Sequence, residues 1–240
     1  LGAEASHSID HDLGPWPART TVGLQLRRDT IRVGLFDSVA RSATATVRDD
    51  AIRQSQAGLY AQTALELSPT LRAVLGLRLD RLQAQVDAIS LPANGGSASA
   101  TQGSPKLTLV WTATPRTELF VNVGRGFHSN DARGMTATVD PRSGAAVDAV
   151  PGLVPITGAE IGLRTQAVAG LQSSVALWGL RSASELVYVG DAGGTEASQG
   201  SHRRGIEFSN RWQPMPWLLV DADLALSRAR LDDGSRIPNA

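Results

Sequence analysis

The sequence contains no cysteine and a single lysine, Lys106, among its 240 residues. Without cysteine the chain has no disulfide framework, no thiolate metal site and no cysteine nucleophile. Acidic and basic side chains are equal in number, so the formal net charge is zero, and no arginine cluster is interleaved with aromatic residues. The composition therefore gives no support for a nucleic-acid-binding surface.

Long apolar runs are also missing. No stretch of about 18 apolar residues occurs, which excludes a transmembrane helix. The first residues lack a basic segment followed by an apolar one, so we expect no signal peptide there. Neither absence excludes a membrane protein built from strands, because a transmembrane β-strand needs only about 9–11 residues of alternating character.

Alternation of apolar and polar side chains with a period of two residues is what the sequence does contain. In residues 104–130 two such runs flank a short turn that contains proline, which predicts a β-hairpin. The apolar positions of this hairpin are Leu107, Leu109, Trp111, Leu119, Val121 and Val123. The same alternation recurs from residue 21 to the end of the chain, for example at Leu218, Val220 and Leu224.

The connections between these runs alternate between short and long. Tight turns are predicted near Pro69, Pro115, Gly170 and Pro214. Long connections are predicted at residues 28–50, 91–103, 129–155 and 191–201, which are charged, polar or rich in glycine and serine. Residues 1–19 form a poorly defined segment with a possible strand and turn, and residues 171–190 are predicted as one long strand with a bulge.

Residues 57–90 fit two patterns. Leu71, Leu75, Leu79, Leu82 and Val86 also lie on one stripe of a helix, and the segment is rich in good helix formers. The pattern alone leaves a helical hairpin and a pair of strands equally open. The strands predicted on both sides favour the pair of strands.

Each predicted strand has an apolar face and a face with charges, amides or glycine. A soluble sandwich also shows this alternation, but it does not combine long strands with all its long loops at one end. We therefore predict an all-β fold, an antiparallel up-and-down meander that forms part of a transmembrane β-barrel with short periplasmic turns and long extracellular loops. Two alternatives stay open: a soluble or surface-attached β-rich binding module, and a soluble domain that contains a helical hairpin.

The apolar positions separate the first two of these interpretations. In a barrel, the groups Leu107/Leu109/Trp111, Leu119/Val121/Val123 and Leu218/Val220/Leu224 form one continuous outward belt. In a binding module they converge between two stacked sheets as an enclosed core.

Five segments, in sequence order, carry a family resemblance. They are SPKLTLVWTATPRTELFVNVGRGFHSNDARG at 104–134, TGAEIGLRT at 157–165, SELVYVGDAGGTEAS at 184–198, HRRGIEF at 202–208 and DGSRIPNA at 233–240. Together they resemble the barrel of a TonB-dependent outer-membrane receptor, over about residues 20–240.

The resemblance implies a function. It implies active uptake of a scarce, large nutrient such as a ferric siderophore across the outer membrane of a Gram-negative bacterium, with no enzymatic activity and no cofactor. The implied partners are outer-membrane lipid, a plug domain, the TonB protein acting through that plug, and a small-molecule or metal-chelate substrate. Such barrels have about 22 strands around a plugged lumen, and the pattern gives roughly nine or ten. We therefore expect an internal fragment without the plug and the C-terminal strands.

The polar faces provide two sets of candidate site residues. The predicted lumen-facing set is Gln62, Glu66, Arg72, Arg78, Asp80, Glu160, Arg164, Glu207, Arg211, Asp221 and Asp223. The candidates for a substrate vestibule, where strands open into long loops, are His128, Asn130, Asp131, Arg133, Asp191, Glu196, Arg203 and Arg204. The alternatives are a solvated sheet face for the first set, and for the second a purely structural role in capping strands and ordering loops.

Other motifs favour ordinary structural roles. His7 and His11, with Asp10 and Asp12, have the ligand types of a metal site but lie in an irregular terminus, so we predict no metal site. The glycine-rich residues 190–194 lack the Lys-Ser/Thr of a phosphate-binding loop. Trp111, Trp212, Trp217, Tyr188 and Phe208 would form interfacial girdles in a barrel, or core in a soluble protein.

Overall fold

Ten strands form one antiparallel sheet in which each strand pairs with the next in that sheet. The structure, a computed structural model, describes residues 1–189 and 194–237, and of residues 186–189 and 194–197 only the backbone. The strands of the large sheet are β1 Gly2–Leu13, β2 Trp16–Val39, β3 Ser42–Ser68, β4 Leu71–Ala88, β5 Gly96–Thr114, β6 Thr117–Ser129, β7 Leu153–Thr165, β8 Leu171–Ser182, β11 Ser201–Met215 and β12 Leu218–Leu231. This order confirms the predicted antiparallel meander.

Three smaller elements lie in the connections. Strands β9 (Leu186–Val189) and β10 (Gly194–Ala197) form a separate two-stranded hairpin between β8 and β11. A short 3-10 helix spans Pro92–Asn94, and the helix α1 spans Ala132–Thr136. None of the described helices is long and apolar enough to cross a membrane.

The connections differ between the two ends of the sheet. At one end, the short-turn end, they comprise residues 14–15, 69–70, 115–116, 166–170 and 216–217. At the other, the loop end, they comprise residues 40–41, 89–95, 130–152 and 183–200. The four predicted tight turns are present, the last of them two residues later than predicted because β11 continues through Pro214 to Met215.

The prediction of a long connection at residues 28–50 is wrong. Strands β2 and β3 run through this segment and pair up to Val39 and Ser42, so that the connection is the dipeptide Ala40-Arg41. Both residues have positive φ, 48° and 68°, the backbone conformation of a two-residue hairpin turn that glycine or asparagine normally occupies. The sequence therefore carries no turn signal at this place.

The predictions for two other segments are also wrong. Residues 96–103, predicted as part of a flexible loop, form the first half of β5 and pair with β4 from Val86↔Gly96 to Leu79↔Gly103. Residues 171–190 are not one strand with a bulge, because β8 ends at Ser182 and the chain turns into the separate hairpin. The prediction of strands rather than helices at residues 57–90 is confirmed by β3 and β4, which pair along almost their whole shared length.

One face of the sheet, which we call the apolar face, carries Leu75, Leu77 and Leu79 of β4. The ladder registers place Leu107, Val123, Ala159, Gly179, Leu224 and Leu24 on this same face. Leu77 is 60% exposed, Trp111 53% and Leu224 53%. The predicted belt is therefore an outward surface of a single sheet and not a core enclosed between two sheets.

The two faces exchange character part of the way along β4. From residue 71 to 79 the apolar face carries leucine or alanine, and beyond it carries Arg81, Gln83, Gln85 and Asp87. The opposite face, which we call the polar face, carries Arg78 and Asp80 and then the buried Leu82, Ala84, Val86 and Ala88. The exchange divides the sheet into a lower part next to the short turns and an upper part next to the loops.

The lower part has the height of a membrane-spanning band. The apolar run covers residues 16–26 on β2, 71–79 on β4 and 218–226 on β12, which is nine to eleven residues on each strand. At the short-turn end Trp16, Trp111 and Trp212 lie on the apolar face, and Trp217 lies in the last turn. The limit at the other end is marked by arginines on the same face: Arg28, Arg81, Arg125, Arg181, Arg204 and Arg228.

Candidate functional site

The upper polar face is covered by the connection between β6 and β7. Helix α1 and the ends of this connection pack on strands β3, β4 and β5, and together they form a hydrophobic cluster. Its buried members are Ile52, Leu82, Ala84, Val86, Ala88, Ala132, Met135 and Leu153. We call the connection between β6 and β7, residues 130–152, the covering loop. Burial of a large side chain such as Leu82, which is fully buried, contributes about 1.5–3 kcal/mol to the stability of the fold. Ordinary hydrophobic packing therefore holds the covering loop on the sheet.

Asp131 and Arg133 organise the start of the covering loop. Asp131 caps α1 by accepting a hydrogen bond from the backbone N–H of Arg133 at 2.9 Å, and its carboxylate pairs with the Arg133 guanidinium. Burial raises the pKa of Asp131, but the hydrogen bonds from Arg133 and the positive charges of Arg133 and Arg48 outweigh it, so the pKa lies below its ordinary value. The carboxylate is therefore the form that the folded loop requires.

Asn94 attaches the middle of the loop to the β4–β5 connection. Its Oδ1 accepts hydrogen bonds from the backbone N–H groups of Thr138 and Val139, both at 2.9 Å, and its Nδ2 donates to the carbonyl of Val139 at 2.8 Å. The hydroxyl of Thr136 donates to the Asn94 carbonyl. Asn94 is 2% exposed, so this set of bonds is shielded from water.

Charged contacts join the loop and the long β2–β3 hairpin. The Arg142 guanidinium donates to the Asp37 carboxylate at 2.8 Å near the tip of that hairpin. Within β3, Arg48 forms a buried ion pair with Asp50, with 6% and 1% of their side chains exposed, and the charge of Arg48 also acts on Asp131 of the loop. The three segments 31–50, 89–95 and 130–152 therefore form one connected surface at the loop end.

The predicted lumen-facing residues all lie on the polar face. The strand registers place all of them on the face opposite the apolar face: Gln62, Glu66, Arg72, Arg78, Asp80, Glu160, Arg164, Glu207, Arg211, Asp221 and Asp223. Two ion pairs on this face join neighbouring strands: Arg164 contacts Glu118 at 3.6 Å, and Arg211 contacts Asp221 at 3.8 Å. We call this surface of charges and amides along the lower part of the polar face the polar wall.

Arg78 is the centre of a network of side-chain contacts in this wall. Its guanidinium makes two hydrogen bonds of 2.7 Å to Asp80, which is fully buried, and a third of 2.6 Å to Gln25 two strands away. The same guanidinium lies 5.9 Å from the centre of the Tyr60 ring, within the range of a cation–π contact. Gln56 also donates to Asp80, at 3.4 Å.

Two glycines provide the space for this network. A Cβ at Gly58 would overlap the guanidinium of Arg78, and a Cβ at Gly23 would overlap the Tyr60 ring. The guanidinium and the ring approach the backbone of the neighbouring strand closely because these two positions have no side chain. The glycines are therefore part of the polar wall.

The substrate-vestibule candidates are distributed over different surroundings. Asn130 is 4% exposed and donates from Nδ2 to the Pro151 carbonyl, and the half-buried His128 has an Nε2 without a partner among the described residues. Arg203 lies on the polar face and pairs with Glu185 at 2.8 Å. Asp191 is outside the described residues, and Glu196 lies in β10, where only the backbone is described.

The prediction of Arg204 as a vestibule residue is wrong, because Arg204 lies on the apolar face. Consecutive residues of a strand point to opposite faces, and the register pairs Arg204 with Gly179 of β8 and Arg228 of β12 on the apolar face. Its side chain therefore cannot share a space with that of Arg203. The sequence alone did not show which residues at the upper end of β11 face which side of the sheet.

Several polar-wall residues were missed from the sequence, although a signal was available. The motif Arg-x-Asp occurs at 27–29, 48–50, 78–80 and 230–232. The first three copies each form an ion pair along one strand face, whereas Asp232 lies beyond the end of β12 and pairs with His202. Residues i and i+2 of a strand share a face, so this spacing predicts such pairs once the strands are known. Asn94, in contrast, gives no signal, since its partners are about 45 residues away.

The geometry does not support a metal site formed by His7, His11, Asp10 and Asp12. His7 and His11 lie on the apolar face of β1, whereas Asp10 and Asp12 lie on its polar face, so the four cannot converge on one ion. Within residues 1–189 and 194–237 no group of three or more His, Asp or Glu side chains is placed to hold a metal ion.

Comparisons with known proteins agree on one family. The family described as "TonB dependent receptor-like, beta-barrel" matches residues 1–240. No protein of curated function matches the sequence. Solved structures are similar in fold at low identity: the ferric-catecholate import receptor Fiu from E. coli K12 has a TM-score of 0.71 at 14% identity, and covers 98% of this chain.

Two further solved structures show the same similarity. The ferric citrate transporter FecA, in its unliganded form, has a TM-score of 0.74 at 15% identity over 99% of this chain. The copper transporter OprC has a TM-score of 0.69 at 15% identity, also over 99%. The chain spans 39% of the Fiu chain, 37% of the FecA chain and 39% of the OprC chain.

Proposed function

The chain belongs to the TonB-dependent receptor family, as part of its β-barrel, and from this premise we propose that it forms part of the wall of an outer-membrane receptor. The receptor would take up a scarce, large nutrient such as a ferric siderophore, driven through TonB. One observation carries the membrane part of this proposal. An exposed apolar band, nine to eleven residues high on strands β2, β4 and β12, lies on one face of an all-antiparallel sheet.

The limits of the band support a membrane environment. Tryptophan side chains are enriched at membrane–water interfaces, and here Trp16, Trp111 and Trp212 lie at the short-turn limit of the apolar face. Transmembrane barrels combine short periplasmic turns with longer extracellular loops. We therefore propose that the short-turn end is periplasmic and that the loop end, with its covering loop, is extracellular.

The polar face supports a lumen that a plug domain fills. Fixed ion pairs such as Arg78–Asp80 give this face hydrogen-bonding groups whose positions do not depend on a ligand. A plug with complementary polar groups can dock on such a wall with little reorganisation. We propose that the lumen-facing set contacts the plug, through which TonB acts, and that substrate approaches between the loops above it.

The similar structures indicate the chemical class of the substrate. The similar structures include receptors named for a ferric catecholate and ferric citrate, and a copper transporter. We propose a metal chelate, with the ferric siderophore as first choice. His128, Asp131 and Arg203, at the loop end, remain the candidates to border its path.

Uptake of labelled cargo by whole cells tests this proposal. Cells that express the full-length receptor containing this chain would be given ferric catecholate, ferric citrate or copper, each labelled on the metal, with and without a functional TonB. We expect accumulation of a ferric chelate that depends on both receptor and TonB. No accumulation of any cargo, or accumulation that is independent of TonB, would refute the proposal.

A change at the loop end separates recognition from transport. Replacing residues 140–145 by two glycines removes the tip of the covering loop, and the half-saturating cargo concentration is expected to rise while the maximal rate stays within about twofold. Two glycines inserted into residues 166–170, at the short-turn end, are the matched control. An equal rise in both variants would show that the covering loop has no specific part in recognition.

A further inference from the structure

The ladder between β5 and β6 ends before either strand does. Its last pair towards the loop end is Lys106↔Gly124, whereas β5 continues to Gly96 and β6 to Ser129. Above this pair β5 stays paired with β4 on its other side, and β6 stays paired with β7. The facing edges of the two strands therefore have no ladder partner among the described residues.

The upper ends of β6 and β7, with the covering loop between them, lie inward of β5. We call this segment, residues 125–157, the upper hairpin. By alternation Phe127 and Leu153 belong to the apolar face, but both pack in the hydrophobic cluster on the polar face of β4 and β5. A Cβ at Gly152 would lie 3.2 Å from the Cβ of Ala100, so the chain at the start of β7 reaches β5, although β6 lies between them in the sheet order.

Buried polar atoms without partners lie on both sides of this gap. Within the described residues, Ser104 Oγ, His128 Nε2 and Asn130 Oδ1 are buried and have no hydrogen-bond partner. Ser104 belongs to β5, and the other two lie at the upper end of β6. Buried polar atoms are nearly always paired, and each exception requires an explanation. Three exceptions on two facing segments indicate that these segments have a second arrangement.

Continuation of the ladder provides that arrangement. In the register of the lower part, the next pairs on the polar face are Ser104 with Gly126 and Gln102 with His128. Opposite and diagonal side chains on one face of an antiparallel pair are within reach of each other, so the His128 ring would come beside hydrogen-bonding side chains of β5. The unpaired backbone groups would also gain partners, except at Pro105, which has no N–H.

Glycines lie where the upper hairpin leaves the wall. Gly124 of β6 and Gly158 of β7 are paired with each other at the level where the ladder to β5 ends. One position further along the same face is Gly126, at which a Cβ would meet no atom within 4 Å. Hinges are a few residues, often small, that absorb a change of backbone direction. Both strands of the upper hairpin can therefore bend at the same level.

We propose that the upper hairpin is a flap with two positions. In the tucked position, which the structure shows, it buries apolar side chains against the polar face of β4 and β5. In the in-wall position it extends the ladder with β5 and leaves the space in front of the upper polar face open. The inference rests on the proposed function, because that function makes the polar face the lumen. The flap then controls the entry of cargo from the loop end.

Disulfide trapping in the full-length receptor, in a cysteine-free background, tests for both positions. Thr101→Cys/Ser129→Cys joins two exposed residues that the continued register places opposite each other, and Ala100→Cys/Gly152→Cys joins a contact of the tucked position. A disulfide needs Cβ atoms about 3.5–4.5 Å apart, so each pair reports one position, and we expect both cross-links under mild oxidation. Ser97→Cys/Ser129→Cys, about 13 Å out of register along β5, is the matched control and should not cross-link.

Uptake of a labelled ferric chelate by cells tests the control of entry. The tucked cross-link is expected to lower the initial rate of uptake at least about tenfold, and the in-wall cross-link to leave at least about half of it. Reduction by dithiothreitol should restore the rate in the first case. The reduced form of each variant therefore separates the effect of the cross-link from that of the substitutions.

The outcomes separate the flap from the proposed function. Failure of Thr101→Cys/Ser129→Cys to cross-link, or an equal yield in the out-of-register control, would overturn the in-wall position. Unchanged uptake with the tucked cross-link, or an equal loss with both cross-links, would overturn the control of entry. Cross-link yields do not depend on cargo, so a receptor that forms both cross-links but transports nothing when reduced would refute the proposed function, whereas the two positions would stand.

Discussion

At the scale of single residues, the polar wall depends on glycines, which have no side chain, as much as on its charges. Arg78 reaches Asp80 and Gln25 across the backbone of Gly58, where any side chain would occupy the same space. Asp80 is completely buried, and a buried carboxylate without its partners is strongly destabilising. Position 58 therefore tolerates little substitution.

Replacing Gly58 by alanine tests this dependence. The new Cβ would displace the Arg78 guanidinium and remove the two hydrogen bonds that it donates to the Asp80 carboxylate, so the free energy of unfolding is expected to fall by about 1–3 kcal/mol. The control is Gly103→Ala on β5, where a Cβ meets no atom within 4 Å. Urea unfolding of the full-length receptor measures both, and equal effects would contradict the role of Gly58.

Asn94 has a comparable role for the covering loop. Asn94→Ala removes the acceptor of the Thr138 and Val139 N–H groups, and the loss of these two hydrogen bonds costs about 1–3 kcal/mol. Since the loop can open without unfolding the sheet, proteolysis within residues 136–150 is expected to accelerate about tenfold or more. Asn122→Ala, which removes a bond to Glu160 on the lower polar face, is the control and should leave this rate unchanged.

At the scale of elements, the exchange of faces on β4 explains why residues 71–88 form a strand and yet also fit a helical pattern. Apolar residues fall at odd positions up to Leu79 and at even positions from Leu82 onward. The shift of phase at this point produces the spacing of three and four residues that also fits a helix. The sequence predicted the strands, the belt and the tight turns because each strand repeats a local pattern in the lower part of the sheet.

The upper part was predicted less well because its pattern depends on tertiary contacts. Residues 96–103 are small and polar and look like a loop, but Ala98 and Ala100 pack against the hydrophobic cluster beneath α1. Small side chains at these positions leave room for Met135 and Gly152 of the covering loop. The side chains of this strand fit the element that covers it. The strand therefore has no local sequence pattern by which it could be predicted.

Helix α1 makes the covering loop sensitive to acid. The pKa of Asp131 is lowered in the folded loop from its ordinary value of 3.8, so its stabilisation is complete above pH 3.8 and is lost as the pH falls through the lower, folded value. The sequence has no cysteine, so a spin label at Ala145→Cys reports the loop alone. Its mobility is expected to increase only below about pH 3.8.

The variant Asp131→Asn isolates this effect. It removes the titrating carboxylate, so the label at position 145 should already be more mobile at neutral pH and should respond less to acid. A label at Thr70→Cys, in a short turn at the opposite end, serves as the control. An acid response that is identical with and without the Asp131→Asn substitution would show that another group governs the opening.

At the scale of the whole molecule, one open sheet presents a tall apolar band on one face and a charged wall on the other. Strands β1 and β12 are the edges of the ten-stranded sheet, and unpaired edges are costly in lipid. The similar receptor chains are longer than this one, which spans 36–40% of them. We therefore infer that the wall is completed by other strands of the same receptor.

The substitution Leu77→Arg tests the central claim, that the apolar face contacts lipid. Leu77 is 60% exposed and Gln83, six positions along the same face of β4, is also exposed but lies above the band. In lipid vesicles, Leu77→Arg is expected to lower the free energy of unfolding of the full-length receptor by about 2–4 kcal/mol, and Gln83→Arg by less than about 0.5 kcal/mol. If both substitutions had the same small effect, as at two water-exposed positions, the apolar face would not contact lipid.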